Sequence, residues 1–551
     1  MVRPWRATLA VLCAFLFVWP VLMVGVGAFR TGLPGANAGW TIRPLLDTLR
    51  DAQTHSVLWQ TIVLSLSVTL ASTLLAVLFA WIVARTDAPA RRLVTPMMML
   101  VLAMPPLFFA ISWDMLGNSR IGLMGWMNIE SWPGLIFVCS LKAAAFSYFM
   151  VLGPFLAMDR SMEEASLTSG ASRVRTFFTV NVPVLAPAIS GAALLTTIAF
   201  LEAFDIPQII GLPAGIRVLP TQIYGYINAT YGGKYAEAST LALILVVLVI
   251  LLVIAQARVL GGRRFTTVTG KAHSTERWRL GAPARALCLL AIILYGAAAL
   301  LLPLLQLYLG SFQPFFGVFK NWTFDNYLEV LKNPDIVAAL RNTALLAIGG
   351  GAATMVACVV LARVIMTGRG LLARFVTLSV WLPLALPGIV LGLGMIWSYL
   401  SVPWLSGLYS TIWILLIGLF VAAVPIGMRV AEGSLAQLAP ELEEAARTSG
   451  SSPLTAFARI ALPLIVPSFL SGWLLTAILI SGNLAVPVLL ASPTSNTVSV
   501  EVLKIYGNGD VTQAAAVFSL ILTALMAAGV LALLAGRLKR WSTVRRRSSR
   551  S

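Results

Sequence analysis

Long apolar runs recur along this sequence. The first extends from Ala7 to about Ala28, and further runs follow it, each of roughly 20 residues and so long enough to cross the ~30 Å of hydrocarbon in a membrane. Hydrophobic residues make up 59% of the chain and charged residues 11%, whereas roughly a quarter of an ordinary soluble domain is charged. Because lipid offers the backbone no hydrogen-bond partner, the spanning segments must be helices. The sequence therefore predicts an all-α transmembrane protein.

The positions of the runs predict about 12 helices, six in each half of the chain. The predicted spans lie at residues 7–29, 56–84, 93–113, 134–157, 185–205, 237–257, 285–308, 338–366, 373–398, 409–428, 464–484 and 513–536. The first run follows a basic start, as in a signal peptide, but it is long and has no clear small-residue cleavage site. We interpret it as a retained helix.

The basic residues lie in short segments between the apolar runs. The net charge of +18 is typical of some nucleic-acid-binding proteins, but here no basic face of a soluble domain forms, so we expect no nucleic-acid partner. With a cytoplasmic N-terminus, most of the 39 Lys and Arg fall on the cytoplasmic side, as the positive-inside rule requires. The sequence thus predicts a multi-pass protein with both termini cytoplasmic, surrounded by membrane lipid.

The four cysteines show no paired spacing. Cys13, Cys139, Cys288 and Cys358 all lie within apolar runs, which indicates small buried side chains rather than a disulfide framework or a zinc site. The chain has only two histidines and no clustered carboxylates within the predicted spans. The sequence therefore predicts neither a metal site nor a catalytic centre.

The chain repeats itself at an offset of 280 residues. The residues that align at this offset are Glu164 with Glu444, Gly170 with Gly450, Pro183 with Pro463 and Pro207 with Pro487. This match, in apolar surroundings on both sides, predicts a duplication. We assign residues 1–260 to a first half with its core at 56–257, residues 261–284 to a basic cytoplasmic linker, and residues 285–551 to a second half with its core at 338–536.

One segment between the fourth and fifth predicted spans has the same pattern in both halves. In the second half, Pro440 suits the first turn of a helix, Glu443 and Glu444 favour its N-terminal end, and Gly450 suits the left-handed turn that ends it. A second short helix is expected to follow and to end at Pro463.

The first half repeats this pattern with different residues. Ser161 and Glu164 have capping-box spacing, Gly170 ends the first helix and Pro183 ends the second. Each segment therefore predicts two short helices joined by a glycine. Their mixture of acidic residues, alanines and basic residues suits a helix that docks in the groove of a soluble partner. An ordinary amphipathic surface loop is the alternative.

Both segments resemble the EAA signature of ABC importer permeases, which reads Glu-Ala-Ala, three residues, Gly, nine residues and Ile-x-Leu-Pro. The second copy matches it fully, and the first departs from it at Ser166. The resemblance implies that both segments are coupling loops seated in clefts of a cytoplasmic ATPase. The candidate coupling residues are Glu163, Glu164, Ala165, Gly170, Pro183, Glu443, Glu444, Ala445, Ala446, Gly450, Leu462 and Pro463.

The same resemblance implies two tandem repeats of the type-I ABC permease fold in the bacterial inner membrane. It implies an assembly with two copies of a cytoplasmic ABC ATPase and a periplasmic or lipid-anchored substrate-binding protein. Because the chain has no Gly-x-x-x-x-Gly-Lys-Ser/Thr segment, we expect it to be a transport component that binds no cofactor, with ATP bound and hydrolysed on the partner subunit.

A single chain with two such halves is similar to the ferric-iron permease group, which also takes in transporters of thiamine and aminoethylphosphonate. The stretch from Phe200 to Pro207, followed by Ile209 to Pro213, looks most like the ferric-iron branch. The resemblance implies ferric iron as the cargo, with thiamine, aminoethylphosphonate or another small solute as alternatives.

Few charged residues lie within or beside the predicted spans, where charge is costly. Glu202 and Asp205 either line an outer vestibule that attracts a cation or are solvated at the membrane surface. Lys142 either faces the pathway, pairs with an acid or extends to the outer surface. Asn483 is a neutral counterpart in the second half. We treat these four residues as candidate pathway residues.

Two other classes of protein fit parts of the pattern. A secondary transporter also has twelve spans in two parallel halves, but in that class we expect coupling acids or bases near the membrane midplane and no docking segment at matched positions. This sequence instead has matched candidate docking segments and few charged residues within the spans. A membrane-bound enzyme predicts a His-rich, Cys-rich or paired-carboxylate group within the spans, which this sequence lacks.

Overall fold

Helices form nearly all the regular structure of the chain. The computed structural model describes residues 4–36, 39–119, 122–159, 161–230, 232–260, 278–368, 370–438, 440–524 and 526–527. Within these ranges the only extended pairing is two isolated β-bridges. The predicted all-α class is confirmed.

The two halves contain equivalent series of helices. In the first half these are α1 Ala7–Gly27, α2 Arg43–Arg50, α3 Ala52–Arg85, α4 Arg91–Ala103, α5 Pro106–Gly117, α6 Trp132–Ala157, α7 Ser161–Thr168, α8 Arg173–Leu201, α9 Leu219–Ile227 and α10 Tyr235–Leu260. In the second half they are α11 Ala282–Ser311, α12 Asp325–Lys332, α13 Pro334–Thr367, α14 Leu371–Ala385, α15 Gly388–Leu400, α16 Ile412–Ala436, α17 Pro440–Thr448, α18 Phe457–Ser481, α19 Pro487–Leu490, α20 Val498–Gly507 and α21 Val511–Ala524.

Nine of the described helices are long and apolar enough to span a membrane, and two bent pairs raise the number to 11. The predicted twelfth span, 513–536, lies partly outside the described residues, and its described part is the shorter helix α21. The described spans therefore agree with the predicted count, and the end of the last span stays a prediction.

The predicted spans 93–113 and 373–398 are wrong in one respect, because neither is a continuous helix. The axes of α4 and α5 meet at 98°, and those of α14 and α15 meet at 118°. Pro105 and Pro106 occupy the first break, and Pro387 occupies the second. Proline has no N–H group and its ring crowds the preceding turn, so the helix direction changes there.

The prediction that Pro183 and Pro463 end separate short helices is also wrong. The helix after each loop continues through the proline into the span. A π turn precedes each proline: the N–H of Val182 donates to the carbonyl of Phe177, and that of Leu462 to Phe457. The wider turn accommodates the proline near the start of a new α-helical segment without a break in the chain direction.

The two halves interlock through their first helices. Helix α1 of the first half packs against α14 and α15 of the second, and α11 of the second half packs against α4 and α5 of the first. At one of these contacts the indole N–H of Trp397 donates to Ser239 Oγ at 2.9 Å, next to Gly27. Each broken span is thus covered by a helix from the other half.

The last residues of the predicted linker lie against the first half. Trp278 pairs with Thr86 in a β-bridge, and the N–H of Leu280 donates to Asp87 Oδ1 at 2.9 Å. Arg285 forms an exposed ion pair with Asp87. The Arg285 guanidinium, followed by the Leu280 N–H, lowers the pKa of the Asp87 carboxyl. The rest of the linker, residues 261–277, lies outside the described residues.

Replacing Gly27 by alanine is expected to weaken the contact between α1 and α15. A Cβ at this position would lie 2.4 Å from Trp397 Nε1, and such overpacking costs about 1–3 kcal/mol. The matched control is Gly25→Ala on the same helix, where a Cβ meets nothing within 4 Å. We expect the melting temperature of the detergent-purified protein to fall only for Gly27→Ala. Equal melting temperatures for the two variants would contradict this packing.

Candidate functional site

The first candidate coupling loop begins with the short helix α7. Glu164 and Ala165 are exposed on it, as predicted for a docking surface. In the second loop Glu444 and Ala445 are exposed at the equivalent positions of α17, and Ala446 is half-buried. The side chain of Glu443 lies outside the described part of the structure.

Both helices end in the same left-handed turn. Gly170 has a φ of +84° and Gly450 a φ of +90°, a conformation that L side chains rarely adopt. The two residues before each glycine are Thr and Ser in both halves, and their hydroxyls bind the last turn. The Ser169 and Ser449 hydroxyls, for example, donate to the carbonyls of Ala165 and Ala445 at 2.8 and 2.9 Å. These hydroxyls were not predicted as part of the loops, although the Thr-Ser-Gly repeat is visible in the sequence.

The next helix starts with a serine cap in each loop. The N–H of Arg175 donates to Ser172 Oγ at 3.3 Å in the first half, and the N–H of Thr455 donates to Ser452 Oγ at 3.2 Å in the second. Each helix then continues as a membrane span, with Pro183, Leu462 and Pro463 exposed near its start. Each loop is thus linked rigidly to the span that follows it.

The one departure from the signature, Ser166, has a partner. Its hydroxyl lies 3.0 Å from the Thr176 hydroxyl at the start of α8. In the second half the equivalent residues are Ala446 and Ala456, which are both apolar. The two positions therefore differ together between the halves, and the first loop gains a hydrogen bond between its two helices.

Glu163 does not face the exterior with Glu164. It is 1% exposed and pairs with Arg85 at the end of α3, with 3.3 Å between Glu163 Oε1 and Arg85 Nε. The same carboxylate oxygen accepts from Asn181 Nδ2 in α8 at 2.7 Å. Glu163 thus lies on the inner side of α7, away from the exposed Glu164, and its role in coupling stays a prediction.

Lys142 binds backbone carbonyls at the break between α4 and α5. Its ammonium group donates to the carbonyls of Val101 and Met104 at 2.5 Å and of Leu102 at 3.1 Å. In a continuous helix the carbonyls of Val101 and Leu102 would accept from residues 105 and 106, which are both prolines without an N–H. Lys142 therefore replaces the missing donors and does not extend to the outer surface.

In the second half, no lysine stands at the equivalent position to donate to the carbonyls at the helix break. Ala422 stands where the repeat would place one, and the break at Pro387 is preceded by a 3₁₀ turn, Leu382–Ala385. In this turn the N–H of Leu386 donates at 3.2 Å to the Pro383 carbonyl, which Pro387 would otherwise leave unpaired. The two breaks are therefore equivalent in position but not in chemistry.

The candidate acids lie beyond the end of α8. Asp205 is within electrostatic range of Lys142, and the pairing of Lys142 with an acid stays a prediction. Glu202 Oε1 and Asp205 Oδ1 are buried and have no hydrogen-bond partner among the described residues. These two atoms are thus enclosed acceptors without a donor, and the role of both acids in a pathway stays a prediction. Asn483 instead accepts from the N–H of Val486 at 3.1 Å and so stabilises the turn before α19.

Asp114 was not among the predicted site residues, because the predicted third span ended one residue earlier. Asp114 lies on α5, is 5% exposed and accepts a hydrogen bond from the hydroxyl of Tyr506 on α20. This bond joins the two halves. A lone carboxylate directly after an apolar run was the signal in the sequence, since a charged residue there needs a partner.

Comparison with known protein families decides the class of this chain. The family of binding-protein-dependent transport system inner membrane components matches residues 72–266 and again residues 342–545. The chain belongs to this family. Each match contains one of the two coupling loops and its flanking spans, so both halves are family units. As a permease of this family, the chain is a multi-pass inner-membrane transport component.

Among similar permeases is the ferric transport system permease protein FbpB of Actinobacillus pleuropneumoniae, 28% identical over 72% of this chain. The match spans 57% of the length of that protein. The Fe(3+)-transport system permease protein FbpB 2 of Haemophilus influenzae is 23% identical over 90% of this chain and 92% of its own length. A bacterial ABC transporter structure involved in alginate import covers 45% of this permease and 91% of that chain, at 15% identity and a TM-score of 0.34, which is too low to support an argument about fold.

Replacing Lys142 by methionine is expected to destabilise the permease. The change leaves three carbonyls at the helix break without their donor, and an unsatisfied buried group costs about 1–3 kcal/mol. Lys320→Met is the matched control, since Lys320 is exposed. We expect a lower melting temperature for Lys142→Met alone. A melting temperature equal to that of the control would show that the carbonyls find other donors.

Proposed function

We propose that this permease is the transmembrane part of an ABC importer driven through α7 and α17. The observation that supports this proposal is the presence of an exposed, glycine-terminated helix at equivalent positions of both halves. Two such helices fit two copies of a cytoplasmic ATPase, which bind and hydrolyse ATP. Both loops, like the two termini, then lie on the cytoplasmic side.

A substrate-binding protein, periplasmic or lipid-anchored, delivers the cargo to the opposite face. Closure of the ATPase dimer displaces α7 and α17, and the displacement passes directly into α8 and α18, because those helices follow the loops without a break. The permease then alternates between inward-open and outward-open arrangements, with ATP providing the bias between them. ATP is thus a ligand of the partner subunits and not a cofactor of this chain.

Ferric iron is the cargo that we propose. Two similar permeases from different organisms are named as ferric transporters, and their matches cover most of this chain. The buried, unpartnered oxygens of Glu202 and Asp205 add support, because carboxylate oxygens suit hard cations. Thiamine and aminoethylphosphonate remain the alternatives for the same machine.

The seam between the halves is the proposed pathway. At this seam Gly482, at the end of α18, faces Pro105 at the first helix break: a Cβ on Gly482 would lie 3.1 Å from the proline ring. Glu202 and Asp205 supply the charge beside the pathway. Lys142 and Asn483 act there through the backbone groups that they bind.

Replacing Gly450 by valine is expected to impair transport by straining the turn after α17. A β-branched residue at a φ of +90° is disfavoured, although the space around the glycine is open, so the effect comes from the backbone alone. Gly450→Asn is the control, because asparagine tolerates this conformation best after glycine. We expect uptake to fall for valine and to be largely kept for asparagine. Equal uptake by both variants would contradict the role of the turn.

Uptake of radiolabelled ferric iron tests the function itself. Cells without this gene, and cells with a Glu444→Lys variant, are expected to lose at least about tenfold in uptake, because the deletion removes the permease and the variant reverses a charge on the docking helix. Thiamine and aminoethylphosphonate serve as comparators. Unchanged iron uptake, together with loss of thiamine or aminoethylphosphonate uptake, would identify that solute as the cargo in place of ferric iron. Uptake that persists after loss of the ATPase would indicate a secondary transporter.

A further inference from the structure

A buried group of three side chains joins four elements of the first half. Arg85, the last residue of α3, pairs with Glu163 of α7 at 3.3 Å and donates through Nη2 to the carbonyl of Met158, just after α6, at 2.8 Å. Asn181 of α8 completes the group by donating to Glu163 at 2.7 Å. We call Arg85, Glu163 and Asn181 the anchor trio.

The anchor trio lies on the inner side of the docking helix. Glu163 is 1% exposed, and Arg85 and Asn181 are 3% and 0% exposed, whereas the adjacent Glu164 is exposed. Successive residues of α7 thus have different tasks. Glu164 faces outward, and Glu163 faces Arg85 at the end of α3 and Asn181 of α8.

A buried ion pair resists separation more strongly than an apolar contact does. Once one charge is withdrawn, the other remains buried without its counter-charge, in a medium that solvates it poorly. Apolar packing permits sliding, but the anchor trio fixes both distance and direction. A displacement of α7 must therefore carry the ends of α3 and α6 with it.

The trio is specific to the first half. At the 280-residue offset Arg85 aligns with Ile365 and Asn181 with Ala461, so the same three side chains cannot form there. In that region of the second half, Arg363 lies over the ring of Phe457, 5.2 Å from its centroid. This contact joins α13 to α18, whereas in the first half Arg85 of α3 and Asn181 of α8 are joined through Glu163.

We propose that Arg85 and Glu163 are positioning residues that transmit the movement of α7 to α3 and α6, separately from the docking of the ATPase. This inference rests on the proposed function, because it takes α7 as the helix that the ATPase moves. It divides the loop into an outer surface for assembly and an inner anchor for force transmission.

The test compares neighbouring residues on the same helix in the complete transporter. Glu163→Gln removes the charge but keeps an oxygen for Asn181, and Glu164→Lys alters only the exposed surface. Each variant is purified through a tag on the permease, co-purifying ATPase is quantified, and the ratio of solute imported to ATP hydrolysed is measured in proteoliposomes with the binding protein. The solute is whichever of ferric iron, thiamine and aminoethylphosphonate the unaltered permease transports.

We expect Glu163→Gln to retain the ATPase and its hydrolysis, with solute imported per ATP reduced about fivefold or more, the scale of a typical coupling energy between sites. Glu164→Lys is expected to lose the ATPase. An unchanged import ratio for Glu163→Gln, or loss of its ATPase as for Glu164→Lys, would overturn the anchor. Retention of the ATPase by both Glu164→Lys and Glu444→Lys would instead overturn the proposed function.

A double variant, Arg85→Met with Glu163→Met, covers the case in which a single change prevents folding. Replacing both members of a buried ion pair by apolar residues is often neutral for stability, so this protein is expected to fold. If the trio transmits movement, the double variant stays uncoupled although no charge is left unpaired. If the double variant imports as much solute per ATP as the unaltered permease, Arg85 and Glu163 merely neutralise each other and do not transmit movement.

Discussion

The backbone of a membrane-spanning chain must find all its hydrogen-bond partners within the protein, and proline removes donors that lipid cannot replace. This constraint shapes the permease most strongly at its third spans. Lys142 supplies donors to the carbonyls left unpaired by Pro105 and Pro106, and a 3₁₀ turn does the same before Pro387. With these groups satisfied, the two spans bend by 98° and 118°.

The turned spans in turn organise the contact between the halves. Each is covered by the first helix of the opposite half, so in either half alone the bent span would lose this packing partner. Small residues permit the close approach, as at Gly27 beside Trp397, and Asp114 and Tyr506 add a polar contact across the seam. Fusion of the two units in one chain, with the linker end fixed at Asp87, keeps these partners together.

The coupling loops show how one short helix serves two surfaces. On its exposed side this helix has Glu and Ala at equivalent positions in both halves. Its inner contacts differ: the first loop has the anchor trio and the hydrogen bond from Ser166 to Thr176, whereas the second has alanines at Ala446, Ala456 and Ala461. The two halves thus share the exposed Glu-Ala pair of this helix but differ in the side chains that meet its inner face.

The sequence by itself determined the helical class, the duplication, the two loops and the glycines that end them. Apolar run length, repeat spacing and the glycines at the turns can be read along the chain without knowledge of tertiary contacts. Only the tertiary structure decided what Lys142, Glu163 and Asp114 contact, since their partners lie far along the chain, at the end of α4, at Arg85 and at Tyr506. It also decided that Pro105 breaks a span whereas Pro183 does not. Proline removes the backbone N–H at both positions. Before Pro183 a π turn keeps the helix continuous, whereas at Pro105 the chain bends and Lys142 donates to the carbonyls left without an N–H.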